Sequence, residues 1–325
     1  MSKKYDVAAL GELLIDFTGN GLSEQGNPLF EANPGGAPAN VLAMLQKLNK
    51  KTAFIGKVGQ DMFGVFLRDV VADAGIDASG IIADARTNTT LAFVRNKPDG
   101  ERDFSFFRNG GADTMLHPEE VPEAIAADCR IFHFGTLSLT HEPAASATLL
   151  AVKLAKASGA MVSLDPNLRP LLWDNMERAK EAIRWGCAQC DILKISDDEL
   201  MFLYEEYKEK PVSNAVSRLR QDFPNIRLML VTKGKEGSEC FIDNFHAAAP
   251  AFLQANTIDT TGAGDTFFGY CLAFILEHGL SDMNQETLTE MLVLANAAAS
   301  LITTKKGALR AMPERGEIVD LAESR

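Results

Sequence analysis

Residues 160–195 read AMVSLDPNLRPLLWDNMERAKEAIRWGCAQCDILKI. Two short runs, 160–164 and 191–195, are apolar or β-branched, and 175–188 between them reads as a helix. Strand, helix and strand at this scale make one unit of a parallel sheet, because parallel neighbours need a crossover. The rhythm continues outward. Tyr5–Leu10, 53–58, 130–134 and 227–231 read as further strands, and 37–48, 61–74, 142–158 and 212–221 as further helices. The expected class is α/β, with a mostly parallel sheet covered by helices. Ligands of such sheets bind beyond the carboxyl ends of the strands, and the search for chemistry starts there.

Two segments, about 12–34 and 89–110, break this rhythm with apolar-polar alternation and turn residues. Lys97-Pro98-Asp99-Gly100 makes a good hairpin tip. A small antiparallel sheet built from both insertions would form a lid over a cleft; an edge extension of the main sheet fits the pattern equally well.

The remaining composition narrows the classes of function. The 325 residues suffice for a single large domain, and 46% hydrophobic with 23% charged residues is an ordinary globular mixture. A formal net charge of -12 without a basic run disfavours a nucleic-acid partner. No stretch reaches the roughly 20 apolar residues of a membrane span. The N-terminal apolar run is short and interrupted by Asp6, Glu12 and Asp16, unlike a signal peptide. Five cysteines do not make a disulfide framework, and Cys187 and Cys190 read as helix residues despite their CxxC spacing. A cytoplasmic, reduced protein is expected.

The segment Asp259-Thr260-Thr261-Gly262-Ala263-Gly264-Asp265-Thr266 carries the most chemistry. Its small residues open a strongly apolar helix, whose first amides lack intrahelical partners and carry the positive end of the dipole. An anion can approach the backbone at Gly262, Ala263 and Gly264, which suits a phosphoryl group in transfer. Asp265 would then stand beside the anion and accept a proton from an attacking hydroxyl. An Asp in a first helical turn can equally be a cap. The loop is neither a Walker A sequence nor a GxGxxG fingerprint.

Further segments fit the same chemistry, each with a plainer reading beside it. Asn33 to Asn40 places small residues and an Asn at a helix start, where a polyol can approach backbone, or where a simple turn ends. Asp16 sits in an otherwise apolar run and needs a partner, either a sugar hydroxyl or a neighbouring turn. Asp165, Asn167 and Arg169 cluster at a strand end, which is also how a capped turn looks. Thr232 to Gly237 offers a close-approach loop, or a hairpin into 238–242.

Together these segments resemble the ribokinase-like (PfkB) carbohydrate kinase family, most of all its fructokinases. The resemblance runs from Gly11 to about Pro313, with Gly35-Gly36-Ala37-Pro38-Ala39-Asn40-Val41 and Asp259 to Asp265 matching the two family signatures in order. It implies a single three-layer α/β/α domain with a β-sheet lid, often a dimer clasp, and MgATP as donor. Asp265 would be the catalytic base, with the amides of Gly262, Ala263 and Gly264 as anion hole. Asp16, Gly35, Gly36 and Asn40 would touch the sugar, and Arg108 and Arg169 would reach the substrate or the transferring phosphate. Thr232, Gly234 and Gly237 match the nucleotide loop, and Asn296 the adenine contact. Asp259 and Thr261 match a monovalent-cation site, which makes potassium an expected activator. The family's Asn-x-x-Glu motif, associated with Mg2+, stands here as Ser196-Asp197-Asp198-Glu199, keeping Glu199 but placing Ser where Asn is usual.

D-Fructose is the expected acceptor. A 2-keto-3-deoxygluconate kinase or a ribosyl or nucleoside kinase of the same family is the nearest alternative. A non-catalytic sensor on this fold would need no base, so Asp265 and its loop argue against it. A nicotinamide-dependent oxidoreductase lacks its glycine fingerprint after the first strand, where Gly11-Glu12-Leu13-Leu14 stands.

Overall fold

The computed structural model describes residues 3–96 and 102–324. Its strands are β1 (Tyr5–Leu10), β2 (Leu14–Leu22), β3 (Pro28–Gly35), β4 (Thr52–Gly59), β5 (Asp77–Asp84), β6 (Leu91–Asn96), β7 (Arg102–Phe107), β8 (Cys129–Gly135), β9 (Met161–Asp165), β10 (Ile192–Ser196), β11 (Leu228–Thr232), β12 (Ser238–Ile242) and β13 (Phe245–Ala249). Its helices are α1 (Ala37–Lys47), α2 (Met62–Asp73), α3 (Glu123–Ala126), α4 (Ala144–Ala157), α5 (Met176–Gln189), α6 (Asp197–Leu203), α7 (Val212–Asp222), α8 (Ala263–His278), α9 (Gln285–Ile302) and α10 (Arg315–Glu323).

The large sheet has the order β13-β12-β11-β10-β9-β8-β1-β4-β5. From β11 to β5 every pair is parallel. The two last pairs, β11 with β12 and β12 with β13, are antiparallel. Thr232 to Gly237 is therefore a hairpin turn into β12. The crossovers are the expected helices, and two start where a side chain caps them. Asp61 accepts the amides of Phe63 and Gly64 at α2, and Asn175 that of Arg178 at α5.

Strand alternation splits the core into two layers of side chains. Val7 and Ala9 of β1 face one core, while Ala8 and Leu10 face the other. Leu228 and Leu230 of β11 divide from Met229 and Val231 in the same way. Residues of α1, α2, α8, α9 and α10 close the first core, and residues of α3 to α7 the second. The result is three layers, helix, sheet and helix.

The two inserted segments do not extend the large sheet. They form a separate sheet of order β3-β2-β6-β7, in which β2 and β6 run parallel and both outer pairs antiparallel. The expected hairpin tip, Lys97 to Gly100, lies outside the described residues. One face of this sheet carries rings: Phe17 stacks on Phe93 at 4.8 Å, and Phe30 and Phe107 meet Phe93 edge-on at 5.4 Å. Leu14, Asp16, Val94 and Phe106 line a cavity instead.

Helix α8 is apolar on nearly every side, and Gly269 sets how closely α1 approaches it. A Cβ at Gly269 would stand 2.7 Å from the Met44 Cβ and 2.8 Å from the Val41 carbonyl oxygen. Gly269→Val is expected to destabilise the fold by about 2 kcal/mol through overpacking. Urea denaturation should show a lower midpoint; a wild-type midpoint would mean that the helices separate at no cost.

Candidate functional site

A cavity of about 370 Å³ opens at the carboxyl ends of β9 and β10, between the small sheet and the start of α8. It gathers Asp16, Gly36, Asn40, Arg169, Glu199, Thr261, Gly262, Gly264 and Asp265. Its size suits a small ligand. A groove of about 690 Å³ between α9 and α10 is larger but brings together none of the expected residues.

The start of α8 is built by backbone conformation. Gly262 has φ 78°, left-handed, and an added Cβ would lie 2.6 Å from that of Ala308. The Thr266 amide makes the first intrahelical bond, to the Gly262 carbonyl at 2.8 Å, and the Ala263 amide turns to the Thr260 carbonyl at 3.3 Å. The amides of Gly264 and Asp265 stand ahead of the first helical bond, at the cavity wall. They are the best placed for an anion; Ala263, expected to share this work, is partly committed to Thr260.

Asp265 does not cap its helix. Gly262 holds the cap position without a side-chain bond, and the Asp265 Oδ2 accepts instead from Asn40 Nδ2 at 2.8 Å. Burial raises the Asp265 carboxyl to about 6, with the charge of Asp165 adding to the rise. Asn40, Lys194 and Arg169 act in the opposite direction. A carboxylate poised there is basic enough to take a hydroxyl proton and still ionised at neutral pH. Asn40 thus holds the Asp265 carboxylate, whereas its motif pointed to the sugar. Its buried Oδ1 has no hydrogen-bond partner among the described residues.

Two glycines bring the backbone close to this wall. A Cβ at Gly35 would fall 2.2 Å from the Asp16 Oδ2, so Gly35 makes room for that carboxylate. Gly36 has φ 128°, and its Cβ would meet the Glu12 carbonyl oxygen at 2.2 Å. Asp16 itself pairs across the strands with Asn33 and borders the cavity.

Two charged residues line the cavity beyond those singled out for it, Glu12 and Lys194. Glu12 accepts the Ala37 amide at 2.9 Å at the start of α1, and burial raises its carboxyl to about 7. Lys194 contacts both Asp165 oxygens, at 3.1 and 2.9 Å, on neighbouring strands. The sequence signal for Lys194 was a lone lysine inside the apolar run Ile192–Ser196.

Three expected assignments change in the folded chain, and a fourth, the indirect role of Glu199 at Mg2+, acquires a backbone setting. Arg108 does not reach into the cavity: its buried guanidinium donates to Asp113 Oδ2 at 2.7 Å, Thr140 Oγ1 at 2.9 Å and the Leu137 carbonyl at 2.8 Å. It anchors the end of β7. Asn296 is likewise committed, donating to the Ala249 carbonyl at 3.0 Å and accepting from Ser238 Oγ at 2.9 Å. That ties α9 to the β12–β13 hairpin and removes the amide from adenine recognition. Gly237 serves the turn, because a Cβ there would meet the Ala249 carbonyl oxygen at 2.1 Å. Gly234, at φ 52°, leaves open space beside Thr232. Glu199 spends its oxygens on the Leu168 amide at 2.7 Å and the Ser196 amide at 2.9 Å. Ser196 returns a bond to the Glu199 amide at 3.2 Å, closing a capping box at α6. The S-x-x-E spacing was the available signal. Asp259 Oδ1 accepts from the amide of Thr261 at 2.9 Å and its hydroxyl at 2.7 Å.

No group of three or more His, Cys, Asp or Glu able to hold a metal occurs among the described residues. Oxygen donors beside an anion site fit Mg2+ that arrives on a nucleotide, since Mg2+ is commonly held by substrate phosphates and one or two carboxylates. Cys187 and Cys190 are both buried free thiols, but only Cys187 lies in α5; Cys190, expected in the helix, is its extended C-cap, and burial raises the Cys187 thiol to about 12. No described helix is long and apolar enough to cross a membrane.

A buried, raised carboxylate beside the first amides of a helix, under a small sheet, suits proton transfer next to an anion on an α/β/α fold. Residues 4–315 match the pfkB family of carbohydrate kinases. Fructokinase-1 of Zea mays is 40% identical over 319 residues, covering 98% of this chain and 97% of its own. The fructokinase of Xylella fastidiosa, solved with bound ATP, superposes with a TM-score of 0.88 at 32% identity, over 98% of this chain and 99% of that one. The Vibrio cholerae fructokinase with fructose, ADP and calcium gives 0.85 at 29%, over 97% and 98%. The chain belongs to the pfkB carbohydrate kinase family.

Asn40→Ala removes the donor to Asp265 and should lower kcat by about 10- to 100-fold, the worth of a hydrogen bond to a charged group. Steady-state sugar phosphorylation with a thermal-unfolding control checks this; an unchanged kcat would detach Asn40 from the base.

Proposed function

We propose that this carbohydrate kinase transfers the γ-phosphoryl group of MgATP to the 6-hydroxyl of D-fructose, giving D-fructose 6-phosphate and ADP. The observation that carries the reaction type is Asp265, buried yet raised to about 6, beside the unpaired amides that open α8. Fructose as acceptor is supported by the 40% identity to a plant fructokinase across nearly both chains.

Asp265 takes the proton of the sugar hydroxyl as that oxygen attacks the γ-phosphorus. The amides of Gly264 and Asp265 face the charge that gathers on the phosphoryl oxygens, and Arg169, exposed at the cavity rim, adds a mobile cation. Asp16, the Gly35–Gly36 backbone and the free Asn40 oxygen offer a polar wall to the sugar. Thr232 and Gly234 border the nucleotide. Mg2+ bound to ATP supplies charge neutralisation; Glu199 would serve it indirectly, by fixing the Leu168 and Ser196 backbone. The small sheet acts as a lid that excludes water, which would otherwise compete as acceptor.

The exposed face of that lid, with Leu22, Phe30 and Phe107 at 68%, 44% and 65% exposure, fits a clasp between two copies. The Asp259–Thr261 turn is the proposed monovalent-cation site, with potassium as activator. Five buried free thiols fit a reduced, cytoplasmic setting.

The test is ADP release from MgATP with D-fructose, 2-keto-3-deoxygluconate, ribose and adenosine, each against a no-sugar control. Fructose-dependent release is expected, with Asp265→Asn abolishing turnover while fructose still binds. Turnover with another sugar alone would replace the acceptor. An Asn variant near the wild-type rate would end the base assignment, and silence with every sugar would favour a sensor.

A further inference from the structure

The first-core face of the large sheet carries an unusual polar row at its carboxyl edge. Alternation places Val162 and Leu164 of β9 in the second core, so Ser163 and Asp165 point to the first. On β10, Leu193 and Ile195 face the second core while Ile192 faces the first, and Lys194 points with Ile192. His133 continues the row, its Nδ1 3.1 Å from Ser163 Oγ and its ring edge-on to Phe268 of α8 at 5.3 Å. This is the layer on which the start of α8 rests.

Lys194 is the member of the row that reaches the cavity. Its side chain is 9% exposed and that of Asp165 is 3% exposed. Both hydrogen bonds of the ammonium go to one carboxylate, at 2.9 and 3.1 Å, although an ammonium has three donors. A Cβ built on Gly264 would lie 3.1 Å from Lys194 Nζ. The ammonium therefore sits against the turn whose amides face the anion, and a side chain at Gly264 would crowd it. His133, kept neutral by burial, adds no charge to this wall.

A lysine needed only to neutralise Asp165 gives no gain over an apolar pair, since desolvating two charges commonly offsets their attraction. A cation fixed at the wall of an anion site is different, because it needs no reorganisation when charge develops. We propose that Lys194, held in place by Asp165, donates to the phosphoryl group in transfer from the wall beside Gly264 and Asp265. In that step the sugar oxygen–phosphorus bond forms, the phosphorus–oxygen bond to ADP breaks, and the hydroxyl proton passes to Asp265. Lys194 keeps its protons throughout. The assignment rests on the kinase reading of this site.

Steady-state fructose phosphorylation of the full chain is compared for wild type, Lys194→Met, Asp165→Asn and the double variant, each with a thermal-unfolding control. Lys194→Met should lower kcat by about 100- to 1,000-fold, the range for loss of one donor to a developing oxyanion. The KM for fructose should stay within about three-fold, because the ground-state sugar contacts remain. The double variant leaves no uncompensated charge and should stay as slow as Lys194→Met, while Asp165→Asn, which keeps the ammonium, should fall less. If Lys194→Met does not fold, the double variant carries the comparison. Recovery of the double variant to within about five-fold of wild type would overturn the proposal and reduce the pair to a structural one. A rise in KM at unchanged kcat would overturn it equally, making Lys194 a sugar contact. If the wild type prefers another sugar, the same variants are compared on that sugar, so the acceptor can be wrong while Lys194 stands. No transfer by the wild type to any sugar would overturn both.

Discussion

A carboxylate taken out of water must be given partners or it protonates. Asp265 meets this constraint at the start of α8, beside amides that have no intrahelical partner, and its neighbours from several elements share the compromise. Burial and the neighbouring Asp165 push the carboxyl up, while Asn40, Lys194 and Arg169 hold it back. The balance leaves a group near 6, neither an ordinary surface acid nor a neutral one. Such a group is ionised at neutral pH and still basic enough to accept a proton.

The contributors come from α1, the end of β9 and β10, and the fold is what brings them together. Asn40 arrives on α1, whose distance from α8 is fixed by the missing side chain at Gly269. Asp165 and Lys194 arrive on adjacent parallel strands, where register alone brings them together. Gly262 turns the chain so that α8 begins at the cavity. Arg108 and Asn296 work at one remove, the first anchoring the lid strand β7 and the second fastening α9 to the terminal hairpin. Both are polar groups whose hydrogen bonds are made inside the protein, where leaving them unmade would cost about 1–3 kcal/mol each.

The sequence revealed the alternating architecture because period-2 and helical patterns are local properties. Helix starts are legible to within a residue or two for α2 and α5, since Asp61 and Asn175 are caps that the sequence displays, and for α1, where Pro38 stands in the first turn. The Asp259–Asp265 segment announced an anion site for the same reason: glycines beside a helix start are visible in one dimension. What stayed hidden depended on distant partners. Nothing near Arg108 said that Thr140 and the Leu137 carbonyl would claim it, and nothing near Asn296 pointed to Ser238. Lys194 looks like any lysine within a strand, because only the β9–β10 register sets it on Asp165. The lid and the edge-extension readings were indistinguishable until the pairing of β2 with β6 made a separate sheet.

The pH dependence of kcat/KM for fructose tests the buried base most directly, since it reports ionisations of the free enzyme. In the proposed mechanism ionised Asp265 is the active form, so the rate should be level above about 6 and fall about tenfold per unit below it. Glu12, raised to about 7, is the other buried acid at this wall, and Glu12→Gln keeps its acceptor for the Ala37 amide. The limb near 6 should survive that substitution. A rate that stays level to pH 4.5, or a limb that vanishes in Glu12→Gln, would contradict the account and move the base away from Asp265.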